Sequence, residues 1–470
     1  MSAGDSASSR AADGAVVVLS FDAATLRLTG LDGPDDAASL PGVVWDPRIR
    51  AGRAHAGAYR SLILHLRHIG RAHRSEVARW GTLQRPHTLS RTPRPYQRQA
   101  VAAWEAAGRR GVIVLPTGAG KSLVAELAIA SADRPALVIA PTLDLVGQWY
   151  DQLQRAFGEP IGLLGGGHHT IEAITVSTYD SAHLHADRFG DRFGLLVLDE
   201  AHHLGGAAYA TIGDGFAAPF RLGLTATLER PDGAHHRVLD ALGDVVYRKE
   251  IKELSGDFLA PYRTEVVRVA LSPEEREAYE DAEALWRTFV ASQGIRLGGA
   301  QGLQRFLMVA ARSAEGRAAL HAFRQTRRLT DGAPAKLRAL SELLRRHAGA
   351  RCLVFTNDNA TVYAISRALL LPALTHRTEL KERRNLLAAF ASGALPVLVT
   401  SKVLNEGVDV PAAEVAIVLS GTGTVREHVQ RLGRVLRPAQ GKQAVLYELI
   451  AEGTRDERVS ARRRDHDAYR

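Results

Sequence analysis

Apolar and polar positions change their period several times along the chain, and each change marks a change in the type of element. From 15 to 30 (AVVVLSFDAATLRLTG) apolar and polar residues alternate and β-branched residues are frequent, which predicts a strand or hairpin. LDGPDDAASLPG then breaks the pattern with Gly, Pro and Asp. Over 58–78, Leu62, Leu66 and Ile69 recur at helical spacing among arginines, so a helix is predicted there. Residues 15–85 thus read as a small α+β module, with Trp45 and Trp80 as packing residues.

From Thr92 onward the runs become almost wholly apolar: VIVLP (112–116), ALVIAP (136–141), ITVSTY (174–179), LLVLDE (195–200) and RLGLTAT (221–227). Such runs suit a parallel sheet buried on both faces, with helical stretches as crossovers. Residues 86–255 are therefore expected to form one doubly wound α/β domain. A helical, basic stretch follows over 256–335, with its periodicity clearest from Pro273 to His347. A second strand and helix alternation then fills 336–455, through RCLVFTN (351–357), ALTHR, PVLVTS (396–401), EVAIVLSG (414–421) and QAVLYELI (443–450). Residues 1–14 are small and polar, a disordered leader without an apolar signal core. Residues 456–470 form a charged tail expected to fray.

Composition narrows the class of protein. Hydrophobic residues make up 46% of the chain, but no apolar run approaches the ~20 residues that a membrane span requires. The lone cysteine, Cys352, excludes an internal disulfide or a Cys-based zinc site and fits a reducing cytoplasm. Paired histidines (His168-His169, His202-His203, His235-His236) lack H-E-x-x-H spacing and read as surface or loop residues. The net charge of +9 is unevenly placed. Between Arg48 and Arg98 twelve arginines face one acid, Glu76, and between Arg296 and Arg346 eleven basic residues face three acids. Two polyanion-binding surfaces are expected from this segregation.

The chemistry centres on GVIVLPTGAGKSLVAELAI (111–129), an apolar strand, a glycine-rich turn and a helix. In Pro116-Thr117-Gly118-Ala119-Gly120-Lys121-Ser122, Gly118 and Gly120 let backbone N–H groups point inward at phosphate oxygens, and the helix adds its positive end. Lys121 would reach the β- and γ-phosphates of ATP and Ser122 would hold Mg²⁺. Leu115 stands where the longer glycine-rich pattern has its first glycine. LLVLDEAHHL (195–204) supplies the second half of the site. Asp199 at a strand end can hold the hydrated Mg²⁺, and Glu200 can orient the attacking water.

Together these motifs resemble motifs I and II of superfamily 2 helicases, which implies two tandem RecA-like P-loop NTPase domains. Arg94-Pro95-Tyr96-Gln97 resembles the segment whose glutamine reads adenine. Pro141, Thr142 and Gln148, with Leu145 and Trp149, resemble motif Ia, and the resemblance assigns Pro141, Thr142, Gln148 and Thr178 to DNA. Thr225-Ala226-Thr227 resembles motif III, so that His202, Thr225, Thr227 and Gln430 would couple ATP state to the strand. Leu353 to Asn357 is similar to motif IV. Thr400 and Ser401 with NEGVD (405–409) are similar to motif V, which implies DNA contacts at Thr400 and Ser401 and ATP contacts at Gly407 and Asp409. QRLGRVLR (430–437) is similar to motif VI, and Arg434 and Arg437, three residues apart on one helical face, would act as arginine fingers.

LGLTATLERPDG (222–233) and LSGTGTVREHVQRLGRVLRP (419–438) narrow the resemblance to the XPB (xeroderma pigmentosum group B) branch. For that branch residues 15–85 would be a damage-recognition-like DNA-binding module and the helical insert a thumb-like element. Where the branch has Arg-Glu-Asp after motif III, this chain has Arg230-Pro231-Asp232; the resemblance assigns Arg230 and Asp232 to DNA, and the proline between them favours translocation over strand opening. The resemblance implies an ATP-dependent DNA helicase or translocase of 3′ to 5′ polarity in DNA repair, acting on single-stranded or forked DNA. Alternatives are an RNA helicase, a DNA-binding ATP switch, or the motor of a nuclease complex, the nuclease being a separate partner.

Overall fold

Residues 15–77, 80–83, 87–89, 91–229, 232–254, 262–297, 299–401, 413–420 and 444–464 are described in a computed structural model. The chain divides into two compact units, one of residues 1–114 and 121–248, the other of residues 249–470 together with the 115–120 turn.

The first unit opens with an antiparallel hairpin, β1 (Val17–Asp22) and β2 (Thr25–Thr29), joined by β3 (Val44–Asp46), β4 (Ala51–His55) and β5 (His73–Ser75) in the order β3-β4-β2-β1-β5. The inward residues Val17, Leu19, Leu26 and Leu28 pack against Leu62 and Leu66 of the Tyr59–His68 helix. That helix is shorter than the helical spacing predicts. Gly70 turns the chain with φ 67°, and residues 73–75 pair in parallel with β1 instead of extending the helix.

The second sheet has eight strands: β6 (Arg110–Val114), β7 (Ala136–Ala140), β8 (Ile161–Gly165), β9 (His168–Thr170), β10 (Ile174–Thr178), β11 (Leu195–Asp199), β12 (Phe220–Thr225) and β13 (Val245–Arg248). Their order is β13-β6-β12-β11-β7-β10-β8-β9, and only the β8/β9 hairpin is antiparallel. All five predicted runs are central strands. The edge strands β9 and β13, and β8 next to the β9 edge, are not legible as apolar runs, because strands at or near an edge bury less of themselves. In β9 all three residues are exposed.

The small module is docked on this domain through named contacts. Arg60 donates to the carbonyls of Gly108 (2.6 Å) and Pro219 (3.1 Å), and Trp80 Nε1 donates to Asp191 O at 2.8 Å. At Gly57 a Cβ would lie 2.4 Å from Gly213 O, so only glycine permits that approach. Beneath it Arg221 is 1% exposed and donates to the carbonyls of Gly213, Phe216, Ala218 and Ala241. Burial, together with the charge of Arg110, pulls its guanidinium down to about 9.

In the second unit β14 (Tyr262–Val269), β15 (Cys352–Phe355), β16 (Ala373–Leu374), β17 (Val397–Thr400), β18 (Val415–Val418) and β19 (Ala444–Ala451) form a parallel sheet ordered β14-β19-β18-β15-β17-β16. Residues 262–269 pair with β19 along their whole length, so this part of the stretch read as helical insert is a strand of the sheet. The insert follows as helices Pro273–Ser292, Gly299–Ala310 and Ala314–Asp331 around Val290, Phe306 and Ala319. Its start has a capping box: Ser272 Oγ accepts from Glu275 N, and Glu275 returns a carboxylate to Ser272 N at 2.7 Å.

The tail expected to fray is a helix over Arg455–Arg464. Lys336, 0% exposed, donates to Leu419 O at 2.7 Å and to the Asp456 carboxylate, and Ser460 Oγ donates to Glu448 Oε2 at 2.6 Å. Those partners lie more than ten residues away in sequence, so its charged composition alone suggested fraying.

Candidate functional site: a nucleotide site at the carboxyl edge of the eight-stranded sheet

Strands β6, β12, β11, β7 and β10 are parallel neighbours, so their carboxyl ends lie along one edge. That edge is where open α/β sheets bind ligands. The ends carry, in spatial order, the 115–120 turn, Thr225, Asp199, Pro141-Thr142 and Thr178, which the sequence spreads over more than a hundred residues.

The turn after β6 has Gly118 at φ 85° and Gly120 at φ 77°, the left-handed conformations that its phosphate-cradling role requires, and Ala119 N donates to Pro116 O at 3.2 Å. Thr117 Oγ1 is buried and makes no hydrogen bond among the described residues, an orphan that a bound phosphate or its cation would satisfy. Lys121 and Ser122 open the Lys121–Ala132 helix at its positive end.

Asp199 ends β11, 8% exposed. Its Oδ1 accepts from Glu200 N at 2.9 Å and its Oδ2 from Trp149 Nε1 at 2.9 Å. Burial and then the charge of Glu200 push its carboxyl up to about 6, against the opposing charge of Lys121. A buried carboxylate so placed gains from a divalent cation. The turn, the orphan hydroxyl and this carboxylate together fit a Mg²⁺-bound nucleoside triphosphate.

Glu200 adopts the left-handed region at φ 47°, a strained position for a residue with a side chain, and its Oε2 is buried. The nearest described partner is His202 Nδ1 at 3.5 Å. His202 Nδ1 also lies 3.1 Å from Thr225 Oγ1, whose proton goes to Thr227 O at 2.8 Å. Thr225 therefore accepts, and His202 carries its proton on Nδ1. The predicted coupling residues His202, Thr225 and Thr227 thus form one buried hydrogen-bonded chain, which passes 3.5 Å from the buried Glu200 Oε2 without a hydrogen bond to it.

Gln97 is buried, its Oε1 accepting from Arg94 N at 2.9 Å in a capping box. Thr142 and Thr178 cap helices, accepting from Leu145 N (3.3 Å) and Ser181 N (3.1 Å), and Gln148 is half-buried on the Leu143–Phe157 helix. Asp232 is exposed and accepts from Ala234 N at 3.1 Å. In the second unit Thr400 and Ser401 end β17 and are buried, with hydroxyls donated to Ser401 O (3.2 Å) and Asn359 Oδ1 (2.8 Å). Gly407, Asp409, Gln430, Arg434 and Arg437, and Arg230 with Pro231, lie outside the described residues.

Two partners of Asp199 were not foreseen from sequence. Trp149 was read only as part of motif Ia. Tyr179, whose O–H donates to Asp199 O at 2.9 Å, follows Thr178 at the end of β10, two strands away. Their apolar spacing signals burial, but which carboxylate they meet follows from strand order.

The basic face expected over 48–98 is partly neutralised by ion pairs. Arg53 pairs with Asp22 and Asp46, Arg71 with Asp36, Arg48 with Asp46 and Arg74 with Glu76. Most of these acids precede Arg48 in sequence, so a count within the window misses them. The hydrogen bond from Arg48 holds the Asp46 carboxyl at about 2, despite burial.

A doubly wound sheet with this turn and this Asp-Glu pair at its carboxyl edge defines the class, a P-loop nucleotide-binding protein. Residues 90–230 match the family described as type III restriction enzyme, res subunit, and residues 335–439 match the helicase conserved C-terminal domain. Residues 19–77 match the xeroderma pigmentosum group B helicase damage recognition domain. A DNA 3′-5′ translocase XPB2 of Sulfurisphaera tokodaii is 40% identical over 79% of this chain and 84% of its own. A DNA 3′-5′ helicase XPB of Kineococcus radiotolerans is 32% identical over 79% of this chain, which spans 62% of that relative. The chain belongs to the XPB family of superfamily 2 helicases. In fold it is similar to the Hef helicase domain of Pyrococcus furiosus, with a TM-score of 0.52 at 22% identity, covering 79% of this chain and 98% of that one.

Proposed function

We propose that the protein is an ATP-dependent DNA translocase and helicase that moves 3′ to 5′ and serves DNA repair. The observation that carries this is the buried chain of His202, Thr225 and Thr227 next to Glu200, beside a phosphate turn, in a chain of the XPB family. Lys121 and the 116–120 backbone bind the triphosphate, Ser122 and Asp199 hold Mg²⁺, and Glu200 accepts the proton of the attacking water. Bound Mg²⁺ neutralises charge on the phosphate oxygens. Arg434 and Arg437 stabilise the departing phosphate, an effect of about 10³–10⁵ in rate for arginine fingers. Gly407 and Asp409 add ATP contacts, and Gln97 reads adenine.

DNA, single-stranded or forked, is taken along Pro141, Thr142, Gln148 and Thr178 in the first unit and Thr400 and Ser401 in the second. No helix among the described residues is long and apolar enough to cross a membrane, and we place the protein in the cytoplasm. Any strand cutting would fall to a separate nuclease partner. The Arg230-Pro231-Asp232 sequence favours a second emphasis, movement along DNA with little strand separation, because proline removes both a carboxylate and an N–H.

The test is steady-state ATP hydrolysis by wild type, Lys121→Ala and Glu200→Gln, each alone and with single-stranded, forked or duplex DNA or RNA at fixed salt. Stimulation by DNA and not RNA, abolished in both variants, is expected. Equal stimulation by RNA would move the substrate class, and indifference to all nucleic acids would sink the motor reading.

A further inference from the structure

The Leu143–Phe157 helix starts at Thr142 and buries Val146, Trp149 and Leu153 at helical spacing, as an amphipathic helix against a sheet should. Two polar contacts nevertheless leave it for the nucleotide site. Trp149, 3% exposed, donates its indole N–H to Asp199 Oδ2 at 2.9 Å, and Gln152 Nε2 donates to Glu126 Oε2 at 3.1 Å. Glu126 is 0% exposed and lies on the Lys121–Ala132 helix. One helix therefore grips both the carboxylate at the end of β11 and the helix behind the phosphate turn.

We propose that Trp149 is a positioning residue for hydrolysis: its indole N–H orients the Asp199 carboxylate, so that a strand bound at the Thr142 end of the helix sets the metal-holding group. This rests on the DNA-translocase reading above. The indole is rigid and buried, and its donor meets an ionisable acceptor in a largely buried site, where such a bond changes an equilibrium by about tenfold or more. A helix with apolar contacts alone would press on the sheet without orienting a carboxylate. Because coupling is reciprocal, DNA bound without nucleotide must alter the Trp149 environment, and loss of the N–H must weaken the effect of metal on nucleotide binding.

Two measurements test this. The first is the affinity of a fluorescent ADP analogue, by anisotropy, for wild type and Trp149→Phe with and without Mg²⁺. The variant should keep its metal-free affinity within about twofold and lose about tenfold of the gain that Mg²⁺ confers, while its DNA stimulation of hydrolysis falls by a similar factor. The second does not need a Trp149 variant: of the five indole N–H signals of the wild type, the one assigned to Trp149 by elimination with Trp45, Trp80, Trp104 and Trp286 variants should shift when oligo-dT is added without nucleotide or metal. This arm stands even if Trp149→Phe does not fold. An unaltered Mg²⁺ gain, or a Trp149 signal unmoved by DNA that is bound, overturns the inference and leaves the translocase reading intact. Wild type that neither binds DNA nor is stimulated by it removes both.

Discussion

Asp199 and Glu200 are adjacent in sequence and differ in surroundings. Asp199 has both oxygens engaged by N–H donors, whereas Glu200 bends into the left-handed region with a buried Oε2 facing His202. A group whose oxygens are fixed suits holding a cation; one with an open oxygen suits accepting a proton. Their identity as a pair is visible in LLVLDEAHHL, but these separate environments come from Trp149, fifty residues earlier. Cys352 carries the prediction at this scale. It is 1% exposed, and burial, with the charge of Glu414, pushes its thiol up from the ordinary 9.0 to about 11. The unfolded thiol releases its proton first, so this contribution to stability is complete below pH 9 and is lost as pH rises toward 11, up to ~2–3 kcal/mol. Urea denaturation of wild type and Cys352→Ala at pH 8 and 10 checks it: the variant should lose less stability across that interval. Thiol reagents should label wild type at pH 8 only after unfolding.

Among elements, the central strands were legible because burial on both faces leaves an apolar run that only a few residue types can supply. Edge strands and β14 were not, since one free edge or a neighbouring helical pattern dilutes the signal. The Arg455–Arg464 helix shows the opposite failure. Polar composition argued for fraying, yet Lys336 binds Asp456 in the interior and Ser460 reaches Glu448. Lys336→Met should leave the Asp456 carboxylate buried without its cation, at a cost of about 3–5 kcal/mol, and adding Asp456→Asn should restore much of it. Hydrogen exchange over 444–464 is the measurement. Protection unchanged in the single variant would mean that the pair does not anchor the helix.

Across the whole molecule, the charge of +9 proposes a polyanion partner but does not say which arginines meet it. Arg60 bonds to Gly108 and Pro219 and Arg71 to Asp36, while Arg67 is exposed at the end of its helix. Arg67→Ala should lower the salt slope of DNA binding by about one. Arg60→Ala and Arg71→Ala should leave the slope intact and lower the thermal midpoint of the first unit. If Arg60→Ala lowers the slope as Arg67→Ala does, its role as a docking residue is wrong. What the sequence by itself determined was the class of motor: the turn, the Asp-Glu pair and the motifs are each contiguous, and their chemistry follows from residue types at fixed spacing. The tertiary structure alone decided which donors hold Asp199, which arginines are internal, and that 262–269 and 455–464 belong to ordered elements of the second unit. Strand order and packing bring together residues tens to hundreds of positions apart, and no local pattern carries that information.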